Sequence, residues 1–143
     1  MPRKILKINY DEELNFNLLG IVSGLKDYRL VFEINKTIYI DLQRTPDHVL
    51  LVGKNNSQLR YVRFQYYDDV GLTYTLIGNK NQSQLLLPEL SMIDYLLLIE
   101  PSDNEICKQT LAAIKNINHL QAVFTFNVME LKSRHNLIGE TIL

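Results

Sequence analysis

Apolar residues along the chain recur with two periods, and the switches between them predict the order of elements. From Lys4 to Tyr10 every second residue is apolar (Leu6, Ile8, Tyr10), as in a strand with one buried face, and Asp11-Glu12-Glu13 ends it. Leu14 to Gly24 fits neither period. Phe16, Leu18, Leu19, Ile21 and Val22 are apolar, while Gly20 and Gly24 each weaken a helix by ~1 kcal/mol. Leu25 to Asn35 reads as a helix, because Leu25, Tyr28, Val31, Phe32 and Ile34 recur mostly at steps of three and four and gather on one side. The run Thr37-Ile38-Tyr39-Ile40 predicts a short strand, into which the helix can extend. Val49 to Gly53 is a weak strand.

Leu59 to Asp68 is a strand whose hairpin follows residue by residue. Val62, Phe64 and Tyr66 lie on one face, and Leu72, Tyr74 and Leu76 form the matching set beyond the turn. A loop of Asp69-Val70-Gly71 pairs Asp68 with Leu72, which sets Tyr66 beside Tyr74 and Phe64 beside Leu76. A loop one residue shorter or longer would turn the two apolar sets to opposite faces. Gly71 stands where such loops need a left-handed residue. The outer face then carries Tyr61, Arg63, Gln65, Tyr67, Thr73 and Thr75.

A second turn at Asn79-Lys80-Asn81-Gln82 leads into Leu85-Leu86-Leu87. Ile93 to Ile99 is apolar on both faces, with Ile93, Tyr95, Leu97 and Ile99 on one and Leu96 and Leu98 on the other, as in a central strand. Ser102-Asp103-Asn104-Glu105 reads as a capping box, in which Ser102 accepts from the Glu105 amide and Glu105 reaches back. The helix that follows gathers Ile106, Thr110, Ala113, Ile114 and Ile117. Gln121 to Val128 returns as a strand with Ala122, Phe124, Phe126 and Val128 aligned. Strand, helix and strand form a crossover unit, expected to be right-handed. The sum is an α+β fold: a largely antiparallel sheet covered by about two helices, with one C-terminal βαβ unit. It forms a single domain over 1–143, with the tail 129–143 loosely docked.

Composition limits the chemistry. Apolar residues are 46% of the 143, the share of a globular domain, which excludes disordered and collagenous chains. Fifteen Lys and Arg against 16 Asp and Glu leave a net charge of −1, so no charge excess draws the chain to nucleic acid or to an anionic membrane. The longest apolar run, Tyr95 to Ile99, is far short of the ~20 residues that span a bilayer. The single Cys107 cannot form an internal disulfide, and Met1-Pro2-Arg3-Lys4 leads into alternating apolar and basic residues, not an export signal. A reduced, cytoplasmic protein is expected.

Candidate chemistry is sparse. No glycine-rich phosphate loop, GxSxG elbow, HExxH or CxxC is present, so no cofactor or metal is expected. His48, His119 and His135 are far apart and read as loop or surface residues. Cys107 reads as a buried thiol. Tyr61, Arg63 and Tyr67 share a strand face that could stack bases, but the glycine-aromatic signature of an RNA-recognition strand is missing and cross-strand packing explains them better. The most distinctive segment is Leu87-Pro88-Glu89-Leu90-Ser91-Met92-Ile93-Asp94-Tyr95. Glu89 and Asp94 bracket a tight connection into the central strand. They read either as an acid/base or cation-binding pair, or as fasteners: Glu89 accepting backbone amides and Asp94 paired with a cation such as Arg29.

That segment resembles the signature of the IPExxxVDY family, small bacterial proteins named for the motif. Leu87 stands for Ile and Ile93 for Val, both apolar swaps; Pro88, Glu89, Asp94 and Tyr95 are identical. Lys26 to Leu30 and Gln121 to Phe124 are also similar to the family. The resemblance implies no particular activity, and it nominates Pro88, Glu89, Asp94 and Tyr95 as site residues. The resulting expectation is a non-catalytic protein-binding or accessory module working through a sheet face or edge, its partner a protein, a second copy included. The alternatives are a small enzyme or ligand-binding domain using Glu89 and Asp94, and an RNA-binding module. Arg29, Gly71, Ser102 and Glu105 are expected to be structural.

Overall fold

The computed structural model describes residues 14–55, 57–81 and 84–138. The strand expected at Lys4 to Tyr10 lies outside them. Six strands form one sheet: β1 (Asn17–Ser23), β2 (Gln43–Val52), β3 (Ser57–Tyr67), β4 (Thr73–Gly78), β5 (Tyr95–Glu100) and β6 (Leu120–Phe126). Their order is β2-β3-β4-β5-β1-β6, and every neighbouring pair is antiparallel. Helix α1 (Asp27–Ile38) connects β1 to β2, and α2 (Asn104–Ile114) connects β5 to β6. The fold is therefore α+β, as its periodicity implies. β5 and β6 both run antiparallel to the β1 strand between them, so β5-α2-β6 is a βαβ unit with a third strand inserted.

The β3-β4 hairpin has the expected register: Tyr66 faces Tyr74 and Phe64 faces Leu76. Gly71 takes the left-handed conformation at φ 94°. The Asp68 carboxylate closes the turn by accepting from the amides of Val70 (3.0 Å) and Leu72 (2.8 Å). On the facing side of the sheet, Leu19, Ile21, Phe64, Leu76, Leu97 and Ile99 pack against Leu30, Val31 and Ile34 of α1 and Cys107 and Ile114 of α2. Burying such side chains is worth about 1.5–3 kcal/mol each, and this layer is what holds both helices on one face.

The other face is also covered, which the expected two-helix cover omits. Leu18, Tyr61, Ile77, Leu96 and Leu98 pack under Leu86, Leu87 and Ile93 and under Val128, Leu131 and Leu137. Residues 128–137 thus dock through these three side chains. Ile93 belongs to this second core, not to the face of Leu97 and Ile99, because β5 begins only at Tyr95. Gly20 lets this layer close: a Cβ there would sit 2.5 Å from the Phe126 ring and 3.0 Å from Ile93.

Other expectations are corrected. Leu14 to Gly24 contains β1, which Gly20 within it and Gly24 just beyond it disguise. α1 runs on to Ile38, and Tyr39 ends it in the left-handed region at φ 59°, so no strand forms at Thr37 to Ile40. Its buried stripe is Leu30, Val31 and Ile34; Tyr28 and Phe32 are exposed. β2 starts six residues before Val49, through a polar stretch whose register shifts between Thr45 and His48, where Pro46 interrupts the ladder. The N-cap of α2 is Asp103, not Ser102. Its carboxylate accepts from the Ile106 amide at 3.0 Å, and Glu105 instead receives a 3.4 Å hydrogen bond from Gln109.

Candidate functional site

The connection from β4 to β5 is organised by Asn79, which is fully buried. Its side-chain nitrogen donates to the carbonyls of Leu90 (3.0 Å) and Ile93 (2.9 Å), and its side-chain oxygen accepts from the Leu87 amide (2.8 Å). Its backbone amide donates to the Asp94 carbonyl at 2.9 Å, and its carbonyl accepts from the Leu86 amide at 2.7 Å. Pro88 opens a 3-10 turn, Pro88–Leu90, at a position that needs no amide.

Glu89 and Asp94 fasten different things. Glu89 accepts from the Ser133 hydroxyl (2.5 Å) and amide (2.8 Å), which ties the turn to the C-terminal cover. Burial pulls its pKa upward, but the hydrogen bonds from Ser133 outweigh that and hold the carboxyl below its usual value. Asp94 accepts from the Ser23 amide at 2.8 Å and pairs with Lys80 at 2.9 Å. The cation is Lys80, not Arg29, which is exposed on α1. The Tyr95 hydroxyl donates to the Leu25 carbonyl at 2.7 Å, and burial first, then the charges of Asp27 and Asp94, push its pKa up to about 12. The signature segment thus ties β5 to the end of β1, the start of α1 and the tail. A polar cleft of about 640 Å³ beside it is lined by Asp27, Arg60, Lys80, Asp94 and Tyr95; Glu89 is not on its wall.

The sheet face nominated from the sequence is divided. Tyr61 is 1% exposed and lies in the second core, so it offers no stacking surface; Tyr67 is exposed. Arg63 is half-buried and its Nε donates to the Thr45 hydroxyl at 2.9 Å. Gln65 donates to the Thr75 hydroxyl at 3.1 Å and accepts from Tyr67 at 3.4 Å. Beside them lies a cleft of about 520 Å³ lined by the polar Arg63, Gln65, Thr75 and Glu100 and by the apolar Phe16 and Leu137.

The histidines do not assemble a site. His48, expected at the surface, is buried in β2 with Nε2 2.7 Å from the Asn136 carbonyl. His119 is exposed at a positive φ of 75°, and His135 lies in the tail. Among the described residues no group of three His, Cys, Asp or Glu is placed to hold a metal ion. Cys107 is buried, and burial raises its thiol pKa, which keeps it protonated. No helix among the described residues is long and apolar enough to cross a membrane.

The two sheet edges differ. β2 carries Arg44, Pro46 and Asp47 and a register shift, devices that discourage further pairing. β6 reads Leu-Gln-Ala-Val-Phe-Thr-Phe, with no charge and no proline, and among the described strands it pairs only with β1. Phe124 at its centre is 44% exposed.

Asn79, Ser133 and Thr45 escape sequence reasoning. Each is a common polar residue whose partner lies far along the chain, and Asn79 directly after Gly78 has the look of an ordinary turn. Comparison with protein-family models, curated proteins and solved structures finds no match to the chain in any of the three.

Proposed function

We propose that the protein is a cytoplasmic, non-catalytic binding module whose β6 edge pairs with a second copy of the chain. The observation that carries this reading is the uncharged edge of β6, which has one neighbour among the described strands, while the opposite edge is blunted. Unpaired amides and carbonyls along a flat strand template the addition of another strand. Two copies of one strand paired antiparallel are related by a two-fold axis, so the contact is self-complementary and closes as a dimer. With no charge on the strand, the two copies meet without like-charge repulsion. Membership in the IPExxxVDY family is part of the same proposal, supported by Leu87 to Tyr95. Glu89 and Asp94 are each engaged by separate partners, which favours the fastener role over shared acid/base work.

Sedimentation velocity over roughly 5–500 μM, the range suited to a small interface, tests the dimer. The chain should move from its 16.7 kDa monomer towards twice that mass as concentration rises. Thr125→Lys, an exposed position on β6, places like charges across the pair and should hold the protein monomeric with an unchanged circular-dichroism spectrum. A monomer throughout the range, or a dimer indifferent to Thr125→Lys and Phe124→Lys alike, overturns the reading.

A further inference from the structure

Besides the β6 edge, and independently of it, we propose that the cleft beside Arg63 binds a small monocarboxylate with an apolar body. Arg63 is half-buried on the wall of this cleft. Its Nε is spent on the Thr45 hydroxyl, which fixes the plane of the guanidinium. Its two terminal nitrogens have no hydrogen-bond or ion-pair partner among the described residues. A guanidinium held in one orientation on a cleft wall presents a fork that matches a carboxylate and can make a bidentate, charge-assisted contact with it.

The rest of the wall narrows the ligand class. The volume of about 520 Å³ lies within the range of small-molecule sites. Thr75 is buried and accepts from Gln65, so its hydroxyl proton remains available as a further donor beside the fork. Phe16, Ile77, Leu98, Leu137 and Ile138 offer an apolar wall to the remainder of the molecule. An alcohol of the same length would fill the apolar side and leave the guanidinium unpaired.

The test titrates the full chain with octanoate and 1-octanol, followed by amide NMR shifts. Octanoate should saturate one site and move the Gln65 and Thr75 resonances. 1-Octanol should bind at least about fivefold more weakly. Arg63→Gln should weaken octanoate about tenfold or more, and Thr45→Ala, which frees the guanidinium without removing it, should weaken it less. Arg29→Gln, on the exposed side of α1, should change nothing. The site is refuted if octanoate does not saturate, if 1-octanol binds as well, or if both Arg63→Gln and Thr45→Ala bind octanoate like the wild type. The monomeric Thr125→Lys protein should bind octanoate normally, so failure of the dimer and failure of the ligand site are separable.

Discussion

Replacing Asn79 by alanine removes three side-chain hydrogen bonds at a fully buried position. The consequences for the three backbone groups differ. The Leu90 carbonyl keeps the 3.0 Å hydrogen bond from the Ile93 amide, whereas the Leu87 amide and the Ile93 carbonyl have no other partner among the described residues. Two orphaned buried groups at about 1–3 kcal/mol each give a loss of about 2–6 kcal/mol, centred near 4. That is a large part of the 5–15 kcal/mol that holds a typical domain together. Asn79→Asp separates the donors from the acceptor. The carboxylate can still accept from Leu87, but when ionised it faces the Leu90 and Ile93 carbonyls with no proton to offer. Its folded pKa should therefore rise above the ordinary ~3.9 of Asp. A raised folded pKa means that stability relative to wild type is best below pH ~4 and is lost as pH climbs through the folded pKa. Urea unfolding followed by far-UV circular dichroism at pH 4 and pH 7 reads both effects; with no Trp in the chain, indole fluorescence is not an option. A loss under 1 kcal/mol for Asn79→Ala, or an Asn79→Asp deficit that does not grow with pH, would refute this account of the connection.

Two further outcomes follow from particular contacts. Asp103→Ala should cost about 1 kcal/mol by removing the α2 cap, while Ser102→Ala should stay within about 0.5 kcal/mol, both read by urea midpoint; the reverse ranking would restore Ser102 as the cap. Glu89→Gln should narrow the stability gap to wild type as pH falls, because a depressed folded pKa contributes stability above the unfolded pKa that is lost as pH drops through the folded value. Glu89 is exposed, so the gap at pH 7 should be well under 1 kcal/mol in thermal or urea unfolding, and a gap that widens in acid would contradict the Ser133 contact.

What the sequence made legible was local. The β3-β4 register follows from three loop residues and two alternating sets, so it could be read without knowing the rest of the sheet. Both helices were legible because core-facing residues repeat within one element, Val31 and Ile34 in α1 and Thr110 and Ile114 in α2, although the stripe read for α1 took in the exposed Tyr28 and Phe32 and missed Leu30. Strand β1 was not, because Gly20 sits where a side chain would collide with Phe126, a residue more than a hundred positions away. The first half of β2 is polar and largely exposed on an edge strand, so no alternation marks it. The cap of α2 moved by one residue, since Ser102 and Asp103 are both good caps and the Asp103 amide is claimed by Asn17 at 2.7 Å, a contact no local rule contains.

The same division explains why the distinctive motif and the proposed binding surfaces do not coincide. Pro88, Glu89, Asp94 and Tyr95 stand out because a tight, buried connection tolerates few residue types: one that needs no amide at the turn, one acceptor for Ser133, one for Ser23 and Lys80, one donor for Leu25. The partners of Glu89, Asp94 and Tyr95 all lie outside the segment, so these residues tie the connection to the rest of the fold. A binding surface has the opposite signature: its groups are left without partners inside the molecule. Among the described residues that condition is met by the outer edge of β6 and by the terminal nitrogens of Arg63, and neither announces itself as a motif. An uncharged strand reads as ordinary core strand, and one arginine on a strand face reads as a solvated charge. Only the assembled sheet distinguishes a strand with one neighbour from a strand with two, and an arginine held by Thr45 at the wall of a cleft from one that waves in water.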